Sequence, residues 1–188
     1  KYSDLKNKRV FITGGGSGIG ASIVEHFCEQ GSEVYFIDID LEETKKLLNK
    51  IKKNKFRNPT FIECNLLDIG KLENTIKNII AKKGPIHALI NNAANDDRHT
   101  TDQVDEKYWE NRMAINLKHY FFAAKAVVKS MKKMKAGSIV NLSSVSWMLG
   151  EGDKVVYETA KSAVVGLTRS FAQEYGKYNI RTNSVVPG

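Results

Sequence analysis

Short apolar runs alternate with helical patterns from one end of the chain to the other, and this alternation constrains the fold more than any other feature. The runs are Val10-Phe11-Ile12, Val34-Tyr35-Phe36-Ile37, Thr60 to Cys64, His87 to Ile90, Ser138 to Leu142 and Arg181 to Val186. Helical patterns fill the intervals: Gly20 to Gln30, Leu41 to Lys53, Ile69 to Lys82, a long stretch from Asp105 to Lys135, and Val155 to Tyr178. A strand followed by a helix and another strand returns in the same direction, by a right-handed crossover. Strands buried on both faces read as continuous apolar runs rather than alternating ones, as they do here. The expectation is an α/β chain with a doubly wound parallel sheet in three layers, forming one domain over residues 1–188.

Composition narrows the class. With 188 residues, 41% hydrophobic and 27% charged, the chain suits one domain with a sizeable core. No apolar run reaches the roughly 18 residues of a membrane span, so no membrane partner is expected. Lys1-Tyr2-Ser3-Asp4-Leu5-Lys6 holds no apolar stretch, and a cytoplasmic location is expected. Cys28 and Cys64 show no C-x-x-C spacing and read as reduced, buried thiols. The net charge of +8 raises the question of nucleic acid. The lysines, however, sit in helical segments among acids (Lys45-Lys46, Lys50 and Lys52-Lys53 beside Glu42-Glu43), which reads as solvated helix faces. A gel shift at two salt concentrations tests that rival, since phosphate binding falls steeply with salt.

Between the first strand and the first helix lies Thr13-Gly14-Gly15-Gly16-Ser17-Gly18-Ile19-Gly20. The tight turn and the close approach of a pyrophosphate to a helix N-terminus both need residues without a Cβ. The spacing from Gly14 is G-x-x-x-G-x-G, and its place after a strand and before a helix gives the loop its weight. Gly14, Ser17, Gly18, Ile19 and Gly20 are candidate dinucleotide contacts. Asp38 closes the second strand, where a carboxylate accepts from both ribose hydroxyls of NAD and repels the 2′-phosphate of NADP. Asp40 is the better helix cap of the pair. NAD is therefore favoured over NADP.

Tyr157 and Lys161 stand one turn apart on one helix face. Bringing a phenol from about 10 to about 7 takes roughly 4 kcal/mol, which an ammonium and a positively charged nicotinamide could supply together. Such a phenolate is a general base for an alcohol proton. Upstream, Ser143-Ser144 ends the fifth strand, at the side of a parallel sheet where ligands bind. With the glycine loop, Asp38, Asn91-Asn92-Ala93-Ala94, Asn116 and the closing Pro187-Gly188, the chain resembles the short-chain dehydrogenase/reductase family along essentially its whole length.

That resemblance implies a Rossmann-type sheet and a set of roles. Tyr157 is the general acid/base, Lys161 holds the nicotinamide ribose and lowers the tyrosine pKa, and Ser144 orients the substrate oxygen. Asn116 opens a carbonyl to a water that links Lys161 to solvent. Asn65-Leu66 stands where the family usually has Asp-Val beside the adenine. Asn92 and Ala93 touch cofactor by backbone, Ala94 replaces the usual glycine, and Pro187 and Gly188 close the cofactor site. Family members continue past this point with a substrate loop, a helix and a last strand, so the chain reads as a piece that lacks its last strand. A homotetramer packed through the two long helices is also implied.

The stretches Asn91 to His99 and Ser144 to Gly150 resemble the branch that oxidises aldoses at C1 to lactones, such as the xylose, arabinose, fucose and rhamnose dehydrogenases. Asn95 and Ser146 could bond sugar hydroxyls, and Trp147 offers a flat face to a pyranose ring. Alternatively, Asp96-Asp97-Arg98-His99 is a loop held by its own ion pairs and Trp147 simply packs. No His/Cys/Asp spacing suggests zinc, and no metal is expected, at His99 or elsewhere. Two rivals stay open beside the aldose reading: an NAD(P)H-dependent reductase of a 3-oxoacyl thioester or other ketone, and a non-catalytic NAD-binding module.

Overall fold

The computed structural model describes residues 2–188; Lys1, the first residue of the leader reading, lies outside the described residues. Six strands form one parallel sheet in the order β3-β2-β1-β4-β5-β6. They are β1 (Arg9–Thr13), β2 (Glu33–Asp38), β3 (Thr60–Glu63), β4 (Ala88–Asn91), β5 (Gly137–Leu142) and β6 (Ile180–Val185). All six expected strands form, with ends shifted by a residue or so. The helices are α1 (Gly18–Glu29), α2 (Leu41–Lys53), α3 (Ile69–Lys83), α4 (Glu106–Met113), α5 (His119–Met134), α6 (Ser146–Leu149) and α7 (Val155–Tyr175).

Alternation of side chains sorts the core into two layers. Phe11, Tyr35, Ile37 and Leu89 face α3, α5 and α7, through Leu72, Ile76, Val127, Met131 and Phe171. Val10, Ile12, Val34, Phe36 and Ile90 face α1 and α2, through Val24, Cys28, Leu47 and Ile51. Both cysteines are free and buried, and burial pushes the Cys28 thiol up to about 12. Helix starts follow local chemistry. Asp40 caps α2 by accepting from the Glu43 amide, as expected, and Asp68 and Asp105 cap α3 and α4 in the same way.

Two elements depart from the sequence reading. The long helix is interrupted at Ala114–Lys118 by a π turn, which divides it into α4 and α5. Trp147 sits on a short helix, α6, in a stretch to which the sequence reading assigned no element. Among the described residues no helix is long and apolar enough to cross a membrane.

The strand order reverses between β1 and β4, so their C-terminal ends open the crevice at which doubly wound sheets take ligands. Arg181, Asn183 and Val185 of the edge strand β6 are exposed.

Candidate active site

A cavity of about 460 Å³ occupies that crevice. Its floor is the glycine loop, and here the need for glycine is geometric. A Cβ on Gly20 would stand 1.8 Å from the Gly14 carbonyl oxygen. Gly14 has φ +65°, and a Cβ there would stand 2.7 Å from the Ala93 Cα. The loop is thus pressed against both α1 and the chain leaving β4. The first helical bond runs from the Ala21 amide to the Ser17 carbonyl, so earlier amides of α1 have no partner within the helix, and its first turn holds no acid. A diphosphate fits such an end.

Asp38 lines the same cavity. Its Oδ2 accepts from the Gly16 amide at 2.7 Å, and its Oδ1 accepts from Ile39 and Asp40 amides at 2.7 and 3.0 Å. Three backbone donors aim the carboxylate and leave a lone pair free on Oδ2. Asn65 and Leu66 line the far end, where the Asn65 side-chain oxygen accepts from the Leu67 amide at 3.0 Å. A long polar ligand with a diphosphate near α1 and a diol near Asp38 suits these residues, as a nicotinamide dinucleotide would require.

The opposite wall follows β4. Asn92 and Ala93 line the cavity, yet their amides donate to the Thr13 hydroxyl, at 3.0 and 3.1 Å. Their amides therefore hold the wall in place and leave any cofactor contact to other atoms. Thr13 Oγ1 also lies 3.3 Å from His119 Nε2. With two amides donating to it, the hydroxyl sends its own proton to that nitrogen. Burial, with the Lys161 charge adding to it, drives the His119 pKa down to about 3 and keeps the ring neutral.

Asn116 lies buried in the π turn. Its Oδ1 accepts from the Asn95 amide at 2.8 Å and its Nδ2 donates to the Asn95 carbonyl at 2.9 Å. This two-way clamp on the cavity wall was not foreseen from the sequence. Asn95 and Asp96 line the cavity on the side of Tyr157. The following segment is pinned by Arg112–Asp97 at 2.7 Å and by Arg98–Asp153. His99 is buried, its Nε2 accepts from the Val156 amide at the start of α7, and its Nδ1 meets the Tyr108 hydroxyl. The loop is indeed held by its ion pairs, although through partners outside it, and His99 is a helix cap.

Tyr157 is the residue of α7 that closes the cavity. Burial raises its pKa; the nearby Ser144 hydroxyl and the Lys154 charge pull the other way, while Asp96 and Glu151 add to the rise. The sequence reading gave the lowering to Lys161. Here Lys161 Nζ lies 5.5 Å from the Tyr157 ring and donates to the Tyr120 hydroxyl at 2.9 Å and the Leu142 carbonyl at 2.8 Å. Ser144 Oγ and Ser146 Oγ are 3.0 Å apart. Trp147 is half-buried, its indole N–H has no acceptor among the described residues, and it does not line the cavity. Pro187 stands outside the cavity lining and is fixed by the Val145 amide, which donates to its carbonyl; a Cβ on Gly188 would meet the Val145 side chain.

Sequence reasoning missed Thr13 as a hub, His119, Tyr120, and a buried chain in which Asn91 donates to Asn141 and Asn141 to Thr168, both at 2.9 Å. The one signal was polar residues at core positions of helical and strand patterns.

Residues 8–188 match the family described as short chain dehydrogenase. The D-xylose 1-dehydrogenase of Caulobacter vibrioides is 43% identical over 187 residues, covering 100% of this chain and 73% of that protein. A protein of Rhizobium meliloti described as a probable galactose dehydrogenase is 39% identical over 188 residues, again 100% and 73% of the two chains. The ligand-free aldohexose dehydrogenase of Thermoplasma acidophilum superposes with a TM-score of 0.86 at 31% identity, covering 100% of this chain and 68% of that one.

Proposed function

The chain belongs to the short-chain dehydrogenase family, an oxidoreductase acting on CH–OH groups with a nicotinamide cofactor, and from that premise we propose that it oxidises the C1 hydroxyl of an aldose to a lactone with NAD. The observation that carries the reading is that Tyr157 closes the same cavity that the glycine loop and Asp38 line. The sugar assignment rests on the likeness to xylose, galactose and aldohexose dehydrogenases.

The bound nicotinamide supplies the hydride acceptor. Tyr157, as phenolate, takes the proton of the C1 hydroxyl, and Ser144 donates to the same substrate oxygen and orients it. Ser146, bonded to Ser144, fixes that serine's rotamer, and Asn95, on the Tyr157 side of the cavity, bonds a ring hydroxyl. Lys161 supplies positive charge beneath Tyr157 and, with a cofactor bound, holds its ribose. Asn116 keeps the wall in register through Asn95, and its own carbonyl in the π turn is the proposed water link to Lys161. Asp38 selects NAD by accepting from the ribose diol and repelling a 2′-phosphate.

NADH formation at 340 nm, with NAD and separately with NADP across aldopentoses and aldohexoses, tests the reading. Turnover with NAD on an aldose, abolished in Tyr157→Phe, is expected. Inactivity on every sugar alongside reduction of a ketone or thioester would keep the family and overturn the substrate.

A further inference from the structure

We propose that Tyr120 is a positioning residue for Lys161: its buried hydroxyl, set between the lysine ammonium and the carbonyl that ends β5, holds that ammonium at a fixed depth beneath Tyr157. The inference rests on the roles given above to Tyr157 and Lys161.

Tyr120 lies in the first turn of α5, directly after the π turn, and is fully buried. Its ring packs against His119, with centroids 4.4 Å apart. Packing alone needs only a phenyl ring, so the hydroxyl calls for a separate reason. That hydroxyl meets three elements. Lys161 Nζ donates to it at 2.9 Å from α7, it donates to the Leu142 carbonyl at 2.9 Å, and the Ala93 carbonyl beyond β4 stands at 3.5 Å. Lys161 Nζ also donates to the Leu142 carbonyl at 2.8 Å, closing a triangle.

Lys161 is 1% exposed. An ammonium there is stabilised by each acceptor that its donors find. The Tyr120 hydroxyl is one of two that the fold provides, and it is the one a single substitution can remove. Titratable groups face the lysine from each neighbouring element: Asp96 after β4, His119 and Tyr120 on α5, and Tyr157 on its own helix. Lys154, paired with Glu151 at 2.6 Å, stands by the Tyr157 ring as well. Burial brings the lysine down to about 7, and Asp96 opposes that fall. Near neutrality its charge is thus poised, and loss of one acceptor shifts it towards the neutral amine. A neutral Lys161 gives a phenolate at Tyr157 no support, so the rise of oxidation with pH must then begin later.

The test is Tyr120→Phe. In the cofactor-free protein carrying 13C-labelled lysine, with Lys161→Met identifying the resonance, the Lys161 midpoint is expected to fall by about half a pH unit or more. The acid limb of kcat/KM for alcohol oxidation should move to higher pH, and Tyr120→Gln, which restores an acceptor oxygen, should bring both part of the way back. A folded Tyr120→Phe with an unmoved lysine midpoint and an unmoved pH profile overturns the proposal. A cross-peak between the Lys161 ammonium and the Tyr120 hydroxyl in the unsubstituted protein needs no variant, and its absence overturns the proposal equally. Tyr157→Phe and Lys161→Met run in parallel. If they keep turnover, the reading of the active site fails; if they lose it while Tyr120→Phe changes nothing, only this inference fails.

Discussion

Around Gly14 to Gly20 the contacts that shape the cavity are made by main chain. Gly14 and Gly15 amides donate to the Ile37 carbonyl, the Asn92 side chain reaches the Gly14 carbonyl, and Asp38 is aimed by three backbone amides. Across the crevice, the wall that carries Tyr157 is held by buried side chains: Thr13 to His119, Asn116 to Asn95, His99 to the start of α7, and Lys161 to Tyr120. A cofactor with a fixed diphosphate can be met by a backbone scaffold, which only glycine permits. A reaction centre needs groups whose proton affinity is set, and that takes buried side chains in a low-dielectric network. Substitutions in the first wall should therefore act on cofactor binding and folding, and those in the second on rate and pH dependence.

The largest effect should come from Tyr157→Phe. It removes one hydroxyl from the second wall and leaves the first untouched. A fall in kcat/KM of about 10³-fold is expected, within the range for loss of a general base, with NAD affinity by calorimetry changed less than a few-fold. If NAD affinity falls in step with the rate, the division between the walls is wrong.

The second wall should also carry the acid sensitivity. His119 is held neutral at about 3, against 6.5 when unfolded. Because the folded value is the lower one, the unfolded chain takes up the proton first. Stability should decline as pH falls below about 6.5 and continue to decline until about 3, by a few kcal/mol in order of magnitude. Lys161 acts in the same sense over a higher window, between about 7 and the free-lysine value of 10.5, where stability rises with pH. Denaturant unfolding of His119→Asn between pH 4 and 7 should give a flatter profile than the unsubstituted chain. An unchanged slope would place the acid sensitivity elsewhere.

In the first wall, Gly20→Ala forces a methyl against the Gly14 carbonyl, 1.8 Å from its ideal position. Overpacking of this kind costs about 1–3 kcal/mol, and the loop must open to relieve it. Calorimetry should show NAD binding weakened at least tenfold, with thermal stability reduced. Asp38→Ser should do less: a ratio of NADP to NAD efficiency raised about tenfold, equivalent to about 1.4 kcal/mol, with Tyr157-dependent chemistry intact.

The same contrast explains what the sequence makes legible. The strands, their parallel pairing, the glycine loop and the Asp40 cap are written in local pattern and local chemistry, and each forms where its residues predict. Asn116 and His99 are legible as residues but not as contacts, because their partners Asn95 and Val156 are brought to them by the fold. Tyr120 reads as a core residue because helical periodicity records burial and is silent about which atom a hydroxyl meets. The expected pairing of Lys161 with Tyr157 follows from spacing on a helix face, yet spacing cannot see that the Tyr120 and Leu142 oxygens compete for the same ammonium.

His99 gives the smallest effect and the finest division between the walls. Its Nε2 accepts from the Val156 amide at 3.2 Å, so that nitrogen carries no proton and Nδ1–H is left for the Asp97 carbonyl and the Tyr108 hydroxyl, at 3.1 and 2.9 Å. In addition, the His99 amide donates to the Asp153 carbonyl at 2.7 Å. One ring thus ties the loop after β4 to the first turn of the helix that carries Tyr157 and Lys161. His99→Ala leaves the Val156 amide buried without an acceptor, a loss of about 1 kcal/mol by the measure of other helix caps. For a chain of this size that is a drop of roughly 2–4 °C in Tm. His99→Gln, which keeps an acceptor oxygen, should recover part of it. NAD affinity should stay unchanged in both, since the glycine loop and Asp38 do not depend on this ring. A His99→Ala variant that loses NAD affinity along with stability would mean that the two walls move as one body, and that the backbone scaffold leans on the side-chain network after all.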